Sequence, residues 1–149
     1  MEKQILVADK IAQAGIDFLS GQPGFHVDHI NGLDEAGLCE IINTYHAVLV
    51  RSAVTITSAV IDAASNLQVI GRAGIGVDNI DVARATERGI AVLNTPNANA
   101  TTTAELTIAH ILSLSRNLPQ ADRSVKSGLW ERSSFMCAEL ANKRLGIFG

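Results

Sequence analysis

The 149-residue chain is 47% hydrophobic and 18% charged, which is typical of a globular protein and excludes a disordered one. Its formal net charge of −3 provides no basic field, which argues against a nucleic-acid or membrane-surface partner. The apolar runs stop short of the roughly 18 residues that span a bilayer. No signal peptide opens the chain, and Cys39 and Cys137 are too far apart for a C-x-x-C pair. We therefore expect a reduced, cytoplasmic protein without disulfides.

Short apolar runs alternate with helix-like segments along the first part of the chain. Helices are predicted at 11–19, 34–44 and 81–88, and after Thr57. Asp9 and Thr57 are predicted to cap two of them, and Asp78 and Asn79 to cap the last. Gly89 is predicted to end that last helix. The predicted strands cover residues 5–8, 25–30, 47–50, 67–70 and 90–93.

Five strand–helix alternations predict an α/β fold. The strands are almost uninterrupted apolar runs, as expected for a parallel sheet that is buried on both faces. A flavodoxin-like, doubly wound sheet with the strand order 2-1-3-4-5 fits a unit of this size. This domain is predicted to cover residues 1–97.

The character of the chain changes after Pro96. A long helix at 100–117 is apolar on most sides, which predicts that a neighbouring domain or subunit covers it. A second helix is predicted from Pro119 to Gly128, followed by an irregular arm that exposes Trp130 and Phe135. Residues 143–149 are predicted to begin a strand without a following helix. We therefore expect residues 98–149 to be part of an incomplete domain; a natural C-terminal edge strand is the alternative.

Candidate binding groups follow the third and fourth strands. Arg51 and Ser52 come directly after the third strand, at the edge where open sheets bind ligands. A guanidinium beside a hydroxyl suits a phosphate or a carboxylate; a surface ion pair is the alternative. Gly74-Ile75-Gly76 follows the fourth strand and predicts backbone N–H groups that are open to an anion. The alternative is a turn that requires positive φ angles.

Other polar residues are predicted to be structural. Arg72 is expected to pair within the protein. His26, His29, His46 and His110 show no metal-ligand spacing, and no metal site is predicted. His110 lies on the long helix and is expected at an interface or in a core.

Several motifs together resemble one family. The segment Gly-Arg-Ala-Gly-Ile-Gly-Val-Asp-Asn-Ile-Asp at 71–81 resembles a motif of the NAD-dependent D-2-hydroxyacid dehydrogenases. The resemblance extends in order through Val-Arg-Ser at 50–52, Asn-Thr-Pro-Asn-Ala-Asn at 94–99, Ala-Glu-Leu-Thr at 104–107, Gly-Leu-Trp-Glu-Arg at 128–132 and Leu-Gly-Ile-Phe-Gly at 145–149. Essentially the whole chain is similar to the family.

The resemblance implies an enzyme that oxidises the 2-hydroxyl of 3-phosphoglycerate, the first step of L-serine biosynthesis, with NAD as cofactor. Residues 1–97 would be its substrate-binding domain, and residues 98–149 the interdomain helix, arm and first strand of a truncated Rossmann domain. The resemblance also implies a homodimer through the long helix and the arm. Another D-2-hydroxy acid of the glycerate or glyoxylate type remains an alternative substrate.

The resemblance also implies roles for single residues. Arg51, Ser52, Gly74, Ile75, Gly76 and Asn99 would bind the substrate, with an N-terminal cap of the long helix as the alternative role of Asn99. Ile75, Thr102 and Gly149 would contact the cofactor, Gly149 as the first fingerprint glycine. Ile75 departs from the small polar residue often found there, so only its backbone can serve. The family's catalytic arginine, glutamate and histidine would lie beyond Gly149, so no catalytic residue is predicted and the chain alone is expected to be inactive.

A stand-alone flavodoxin-like module that binds a small anion is the competing interpretation. A receiver domain needs an acidic cluster after the first strand and a phosphoacceptor aspartate after the third, but Asp9 stands alone and Arg51 takes the second place. A flavodoxin needs a Ser/Thr/Gly-rich phosphate loop after the first strand, where this chain has Asp9-Lys10-Ile11-Ala12. An anion-binding module of another kind stays open.

Overall fold

Strands and helices alternate through the first part of the computed structural model, which describes residues 2–148. The chain divides into a first unit that ends at Ala98 and a second unit that begins at Asn99. The strands of the first unit are β1 Lys3–Val7, β2 Phe25–His29, β3 Ala47–Val50, β4 Val69–Arg72 and β5 Ala91–Asn94. Its helices are α1 Gln13–Ser20, α2 Glu35–Ile41, α3 Ser58–Ala63 and α4 Val82–Glu87, and a 3-10 turn at Ile42–Thr44 extends α2.

The five strands form one parallel sheet in the order β2-β1-β3-β4-β5, which confirms the predicted topology. The chain moves outward from β1 to β2 and then returns past β1 to add β3, β4 and β5. Because parallel crossovers are right-handed, this reversal places α1 on one face of the sheet and α2, α3 and α4 on the other. The first unit is therefore a doubly wound α/β fold.

The core lies along the middle of the sheet. Leu6 of β1 is paired with Val48 of β3, and Val48 with Ile70 of β4, so all three side chains lie on the same face. All three are completely buried. Val60 and Ile61 of α3 and Leu38 of α2 belong to the same hydrophobic cluster. Helices cover both faces of a parallel sheet, which accounts for the almost uninterrupted apolar runs of the predicted strands.

Two of the predicted helix ends in the first unit, Thr57 and Gly89, are confirmed. Thr57 precedes α3, and its hydroxyl oxygen accepts a hydrogen bond from the Val60 N–H at 3.4 Å. Gly89 follows α4 with a φ of 70°, a left-handed conformation that glycine adopts without strain. The cap of α4 itself is Asp81, whose carboxylate accepts from the Arg84 N–H at 2.9 Å. The prediction that Asp78 and Asn79 cap this helix is therefore wrong.

Strand β4 begins and ends two residues later than its apolar run. Leu67 is buried but unpaired, whereas Arg72 is paired with Val50 on one side and Asn94 on the other. Hydrogen bonding to two neighbours decides the bounds of a central strand, and these pairings cannot be read from hydrophobicity. Gly71 and Arg72 thus belong to the strand rather than to the turn after it.

The second unit contains α5 Ala100–Ser115, α6 Leu118–Lys126 and a 3-10 turn at Arg132–Phe135. No residue of α5 is buried. Trp130 is 76% exposed, as predicted, but Phe135 is half-buried and lines a small cavity beside α6. Ser124 is buried in α6, and its hydroxyl donates to a Glu131 carboxylate oxygen at 2.9 Å.

The strand predicted near the end of the chain is not formed over residues 143–148. A strand needs a hydrogen-bonded neighbour, and the described residues of the second unit contain no other strand. Among residues 2–148, no helix is both long and apolar enough to cross a membrane.

Candidate functional site

The carboxyl ends of β1, β3, β4 and β5 bring polar residues to one edge of the first unit. Asp9 follows β1, Arg51 follows β3, and Arg72 and Asn94 are the last residues of β4 and β5. The strand order reverses between β1 and β3, and open α/β sheets bind ligands outside such a switch point. Asp9 and Arg51 lie on either side of it.

Asp9 fixes the segment after β3. The residue is 6% exposed. Its Oδ2 accepts from the Arg51 N–H at 2.9 Å and the Ala53 N–H at 3.1 Å, and its Oδ1 accepts from the Lys10 N–H at 2.7 Å. Burial by itself raises the pKa of this carboxyl, but the backbone N–H groups around it outweigh burial, and its pKa lies below the ordinary value of 3.8. Asp9 is therefore held as an anion.

The prediction that Asp9 caps α1 is wrong, because its carboxylate turns toward the segment after β3. Helix α1 instead begins after Ala12 without any side-chain cap. Only the pairing of β1 with β3 brings Asp9 to Arg51, so local sequence gave no signal of this contact.

Arg51 and Ser52 face solvent at this edge. One guanidinium nitrogen of Arg51, Nη1, donates to the Lys10 carbonyl at 3.2 Å. Within residues 2–148, Arg51 forms no salt bridge with a carboxylate. The alternative of a surface ion pair is therefore wrong for Arg51.

The glycine segment after β4, Gly74-Ile75-Gly76, is held by hydrogen bonds within its own backbone and to the end of β5. The Gly74 N–H donates to the Arg72 carbonyl at 2.9 Å, and the Gly74 carbonyl accepts from the Thr95 N–H at 2.9 Å. The Asn94 amide donates to the Ile75 carbonyl at 2.6 Å. The N–H groups of Ile75 and Gly76 have no acceptor among the described residues. Two of the three predicted N–H donors are thus open, and that of Gly74 is already used.

A side chain at position 74 would compete with Arg72 for space, and the backbone conformation there does not itself demand glycine. The structure gives neither Gly74 nor Gly76 a positive φ, so the alternative of a positive-φ turn is wrong. A Cβ on Gly74 would clash with Arg72 Nη1, and one on Gly76 would lie 2.7 Å from an Asp78 carboxylate oxygen. The Arg72 guanidinium occupies the space that a side chain on residue 74 would need.

Arg72 is a further candidate that the sequence did not predict as a binding residue. Its Nε donates to the side-chain oxygen of Asn79 at 2.9 Å, which is the internal pairing expected for this residue. Asn79 is neutral, however, and no carboxylate of the described part of the chain forms a salt bridge with Arg72. Arg72 also lines a cavity of about 160 Å³ together with Leu49, Gly71, Ala73, Leu93, Asn94 and Thr95.

We call these groups the carboxyl-edge cluster: the side chains of Arg51 and Arg72, the N–H groups of Ile75 and Gly76, and the Asn79 amide between the two arginines. The cluster combines open backbone donors with two guanidinium groups that we call uncompensated because neither forms a salt bridge within residues 2–148. Such a set of donors binds carboxylate or phosphate groups. It contains no group of three or more His, Cys, Asp or Glu side chains able to hold a metal, and neither does the rest of residues 2–148.

The other predicted site residues belong to the second unit. Asn99 occupies the N-cap position of α5, but its side chain makes no capping hydrogen bond. Thr102 is exposed in the first turn of that helix. Gly149 lies outside the described residues.

The chain matches a model of one family over residues 5–144, described as D-isomer specific 2-hydroxyacid dehydrogenase, catalytic domain. It is 46% identical to the D-3-phosphoglycerate dehydrogenase of Archaeoglobus fulgidus over 98% of its own length, and covers 28% of that relative. The chain thus spans little more than a quarter of the length of this relative.

Two solved structures share the fold. A protein of Polaromonas sp. assigned as a D-isomer specific 2-hydroxyacid dehydrogenase, NAD-binding, has a TM-score of 0.83 and 27% identity, with all of this chain and 48% of that one covered. The NADPH-dependent glyoxylate/hydroxypyruvate reductase of Sinorhizobium meliloti, solved with citrate, has a TM-score of 0.77 and 29% identity, with 95% of this chain and 44% of that one covered.

Proposed function

Because the chain belongs to the D-isomer specific 2-hydroxyacid dehydrogenase family, we propose that it supplies the substrate-binding part of an NAD-dependent dehydrogenase for 3-phosphoglycerate. This reaction oxidises the 2-hydroxyl group and opens L-serine biosynthesis. Residues 1–97, which lie within the first unit, would be the substrate-binding domain, and residues 98–149 would belong to the domain that binds the dinucleotide.

The single observation that carries the proposal is the pair of uncompensated guanidinium groups in the carboxyl-edge cluster. A substrate with a phosphate at one end and a carboxylate at the other presents two anions, and the cluster presents two cations that form no salt bridge in the described part of the chain. The identity to a D-3-phosphoglycerate dehydrogenase supports the same substrate.

Each group of the cluster has a role in this proposal. Arg51 and Ser52 bind one anionic group from the β3 side, and Arg72 approaches from β4. The N–H groups of Ile75 and Gly76 hold the carboxylate, and Gly74 leaves room for the guanidinium of Arg72. Asn99 is a further proposed substrate contact, supported by the resemblance of its motif.

The proposed cofactor contacts are Ile75, Thr102 and Gly149. The Ile75 carbonyl is already bound by Asn94, so its open N–H is the group that fits a contact with the cofactor or the substrate. NAD, when bound, supplies the acceptor for the hydride from the substrate. Neither 51–54 nor 71–79 contains a histidine to take up the hydroxyl proton. We therefore propose that this chain is inactive by itself, and reduction of NAD by the chain alone would contradict this.

A reductase for a small, unphosphorylated 2-keto acid is the second candidate function. The observation that favours it is the likeness to a glyoxylate/hydroxypyruvate reductase at 29% identity. The two candidates differ in the phosphate, because only 3-phosphoglycerate offers two separated anions to two arginines. Tighter binding of glycerate than of 3-phosphoglycerate would favour the reductase.

Replacing Arg51 with glutamine tests the proposed site. We expect the Kd for 3-phosphoglycerate to rise about tenfold, because the variant loses one charge-assisted contact with the anion. The measurement is a titration of the chain with 3-phosphoglycerate, monitored through the amide NMR shifts of Ile75 and Gly76.

Arg88→Gln is the matched control. It removes the same charge from the first unit, but Arg88 ends α4 and is paired with Asp62 at 3.2 Å. Its affinity should equal that of the wild type. No shift at Ile75 or Gly76 with millimolar ligand would count against the proposed function.

We also propose that the intact protein forms a homodimer through the second unit. Leu114, Trp130 and Met136 are 79%, 76% and 83% exposed, and α5 buries none of its residues. Apolar surface of this extent marks an interaction site. Sedimentation velocity should show an average mass that rises with concentration, and Leu114→Glu should reduce that rise; a mass independent of concentration would contradict the proposal for this chain.

A further inference from the structure

Asn79 lies between the two arginines of the carboxyl-edge cluster and uses every polar atom of its side chain. Its oxygen accepts from Arg72 Nε at 2.9 Å. Its nitrogen donates to the carbonyl oxygens of Arg51 and Val54, both at 2.6 Å. One amide therefore joins the side chain of the last residue of β4 to the backbone that follows β3.

The backbone of Asn79 is itself fixed to the core. Its carbonyl accepts from the Ile56 N–H at 2.9 Å, and Ile56 forms a parallel bridge with Ile80. Ile56 is completely buried and Ile80 is 6% exposed. The amide thus projects from a backbone that is fixed to the core, and the Arg72 side chain that binds it is held in place as well.

The chemistry at this position requires a neutral group with both a donor and an acceptor. A carboxylate would neutralise Arg72 and would place a second oxygen against the carbonyls of Arg51 and Val54, which need a donor. An aliphatic side chain would leave Arg72 Nε and both carbonyls without this partner. An amide satisfies all three contacts and leaves the positive charges of both arginines uncompensated.

We propose that Asn79 is a positioning residue that orients the Arg72 guanidinium relative to the Arg51 segment and keeps both cations available to one anionic ligand. The inference rests on the proposed function, because the ligand is the anion bound by the carboxyl-edge cluster. Asn79 acts through Arg72 and the Arg51 segment and need not touch the ligand.

The test compares Asn79→Ala with Asn79→Asp. The alanine variant removes the orientation alone, and we expect a Kd for 3-phosphoglycerate that is roughly fivefold higher. The aspartate variant also neutralises Arg72, and we expect a Kd more than roughly tenfold higher. Asn66→Asp is the matched control: the exposed Asn66 precedes β4, and its amide donates to the Asn43 carbonyl at 2.7 Å, so this variant also loses an amide donor and gains a negative charge, but at the opposite edge of the sheet. Its Kd should be unchanged.

A second readout does not need the ligand. The Nε–H signal of Arg72 in an NMR spectrum should shift in Asn79→Ala and exchange faster with water, because the hydrogen bond to the amide is lost. This measurement decides the structural half of the inference even if Asn79→Asp does not fold. An unchanged Arg72 signal in Asn79→Ala would overturn the inference.

The outcomes separate the inference from the proposed function. If the wild type binds 3-phosphoglycerate and both Asn79 variants bind it with the wild-type Kd, the inference is overturned and the proposed function stands. Equal losses in the two variants show that the neutrality of the amide does not matter, which also overturns it. A wild-type chain that binds neither 3-phosphoglycerate nor inorganic phosphate contradicts the proposed function, and the inference fails with it.

Discussion

Asp9→Asn is expected to lower the free energy of unfolding of the first unit by about 2–3 kcal/mol at about pH 7. The carboxylate accepts three backbone N–H groups while almost completely buried. An asparagine has one acceptor oxygen, and its NH₂ group would face either the Lys10 N–H or the N–H groups of Arg51 and Ala53. Buried donors are then left without an acceptor. Urea unfolding followed by far-ultraviolet circular dichroism measures the loss.

The stability difference between the wild type and Asp9→Asn is expected to depend on pH in the acid range. The folded pKa of Asp9 lies below the ordinary value of 3.8, so the carboxylate contributes stability above that value and loses the contribution as the pH falls through the folded pKa. The stability difference between wild type and Asp9→Asn should therefore shrink below pH 3.8. Asp17→Asn, a change at an exposed position with the same loss of charge, should cost little at any pH. A difference that is constant with pH would contradict the role given to Asp9.

Alkaline pH is expected to destabilise the first unit through Tyr45. The phenol is 6% exposed, and burial together with the hydrogen bond and charge of Asp28 raises its pKa to about 12. The hydroxyl donates to Asp28 Oδ2 at 2.9 Å. Because the folded pKa is the higher one, the contribution is complete below pH 10 and is lost as the pH rises through about 12. The loss is about 3 kcal/mol, corresponding to two pH units.

Tyr45 is the only tyrosine of the chain, so phenolate absorbance reports its ionisation alone. The folded protein should titrate near pH 12, and the protein unfolded in urea near pH 10. Tyr45→Phe should lack the fall in stability between these values that the wild type shows. A folded-state midpoint near pH 10 would show that the hydroxyl is not held in the core by Asp28.

The elements that the sequence predicted well are those decided by local chemistry. The run at Ala47–Val50 forms a strand with the predicted bounds, and Thr57 caps α3. The strand order followed from the alternation of strands and helices and the size of the unit. These features depend on residues that are close in the chain or on rules of parallel sheets.

The contacts that build the carboxyl-edge cluster depend on long-range pairing. From sequence alone, Asp9 and Asn79 are ordinary candidates for helix caps. In the folded sheet, Asp9 instead accepts from the Arg51 N–H, and the Asn79 amide binds Arg51 and Arg72. At Gly74 the predicted positive φ is absent, and the space beside its Cα is filled by the Arg72 guanidinium, which the sequence could not show. A polar residue before a helix predicts a cap from sequence, and only the folded sheet shows a more distant partner.

The pairing of Arg72 with Val50 and Asn94 makes the position of a binding cation depend on the alignment of three strands. Successive side chains of a strand point to opposite faces, so a one-residue insertion or deletion within β4 would turn Arg72 away from its present face. The same change between α3 and β4, around Ser65 and Asn66, would fall in an exposed connection and leave that alignment intact. Length variation among related sequences should therefore be excluded from Val69–Arg72 and be better tolerated at the exposed Ser65 and Asn66.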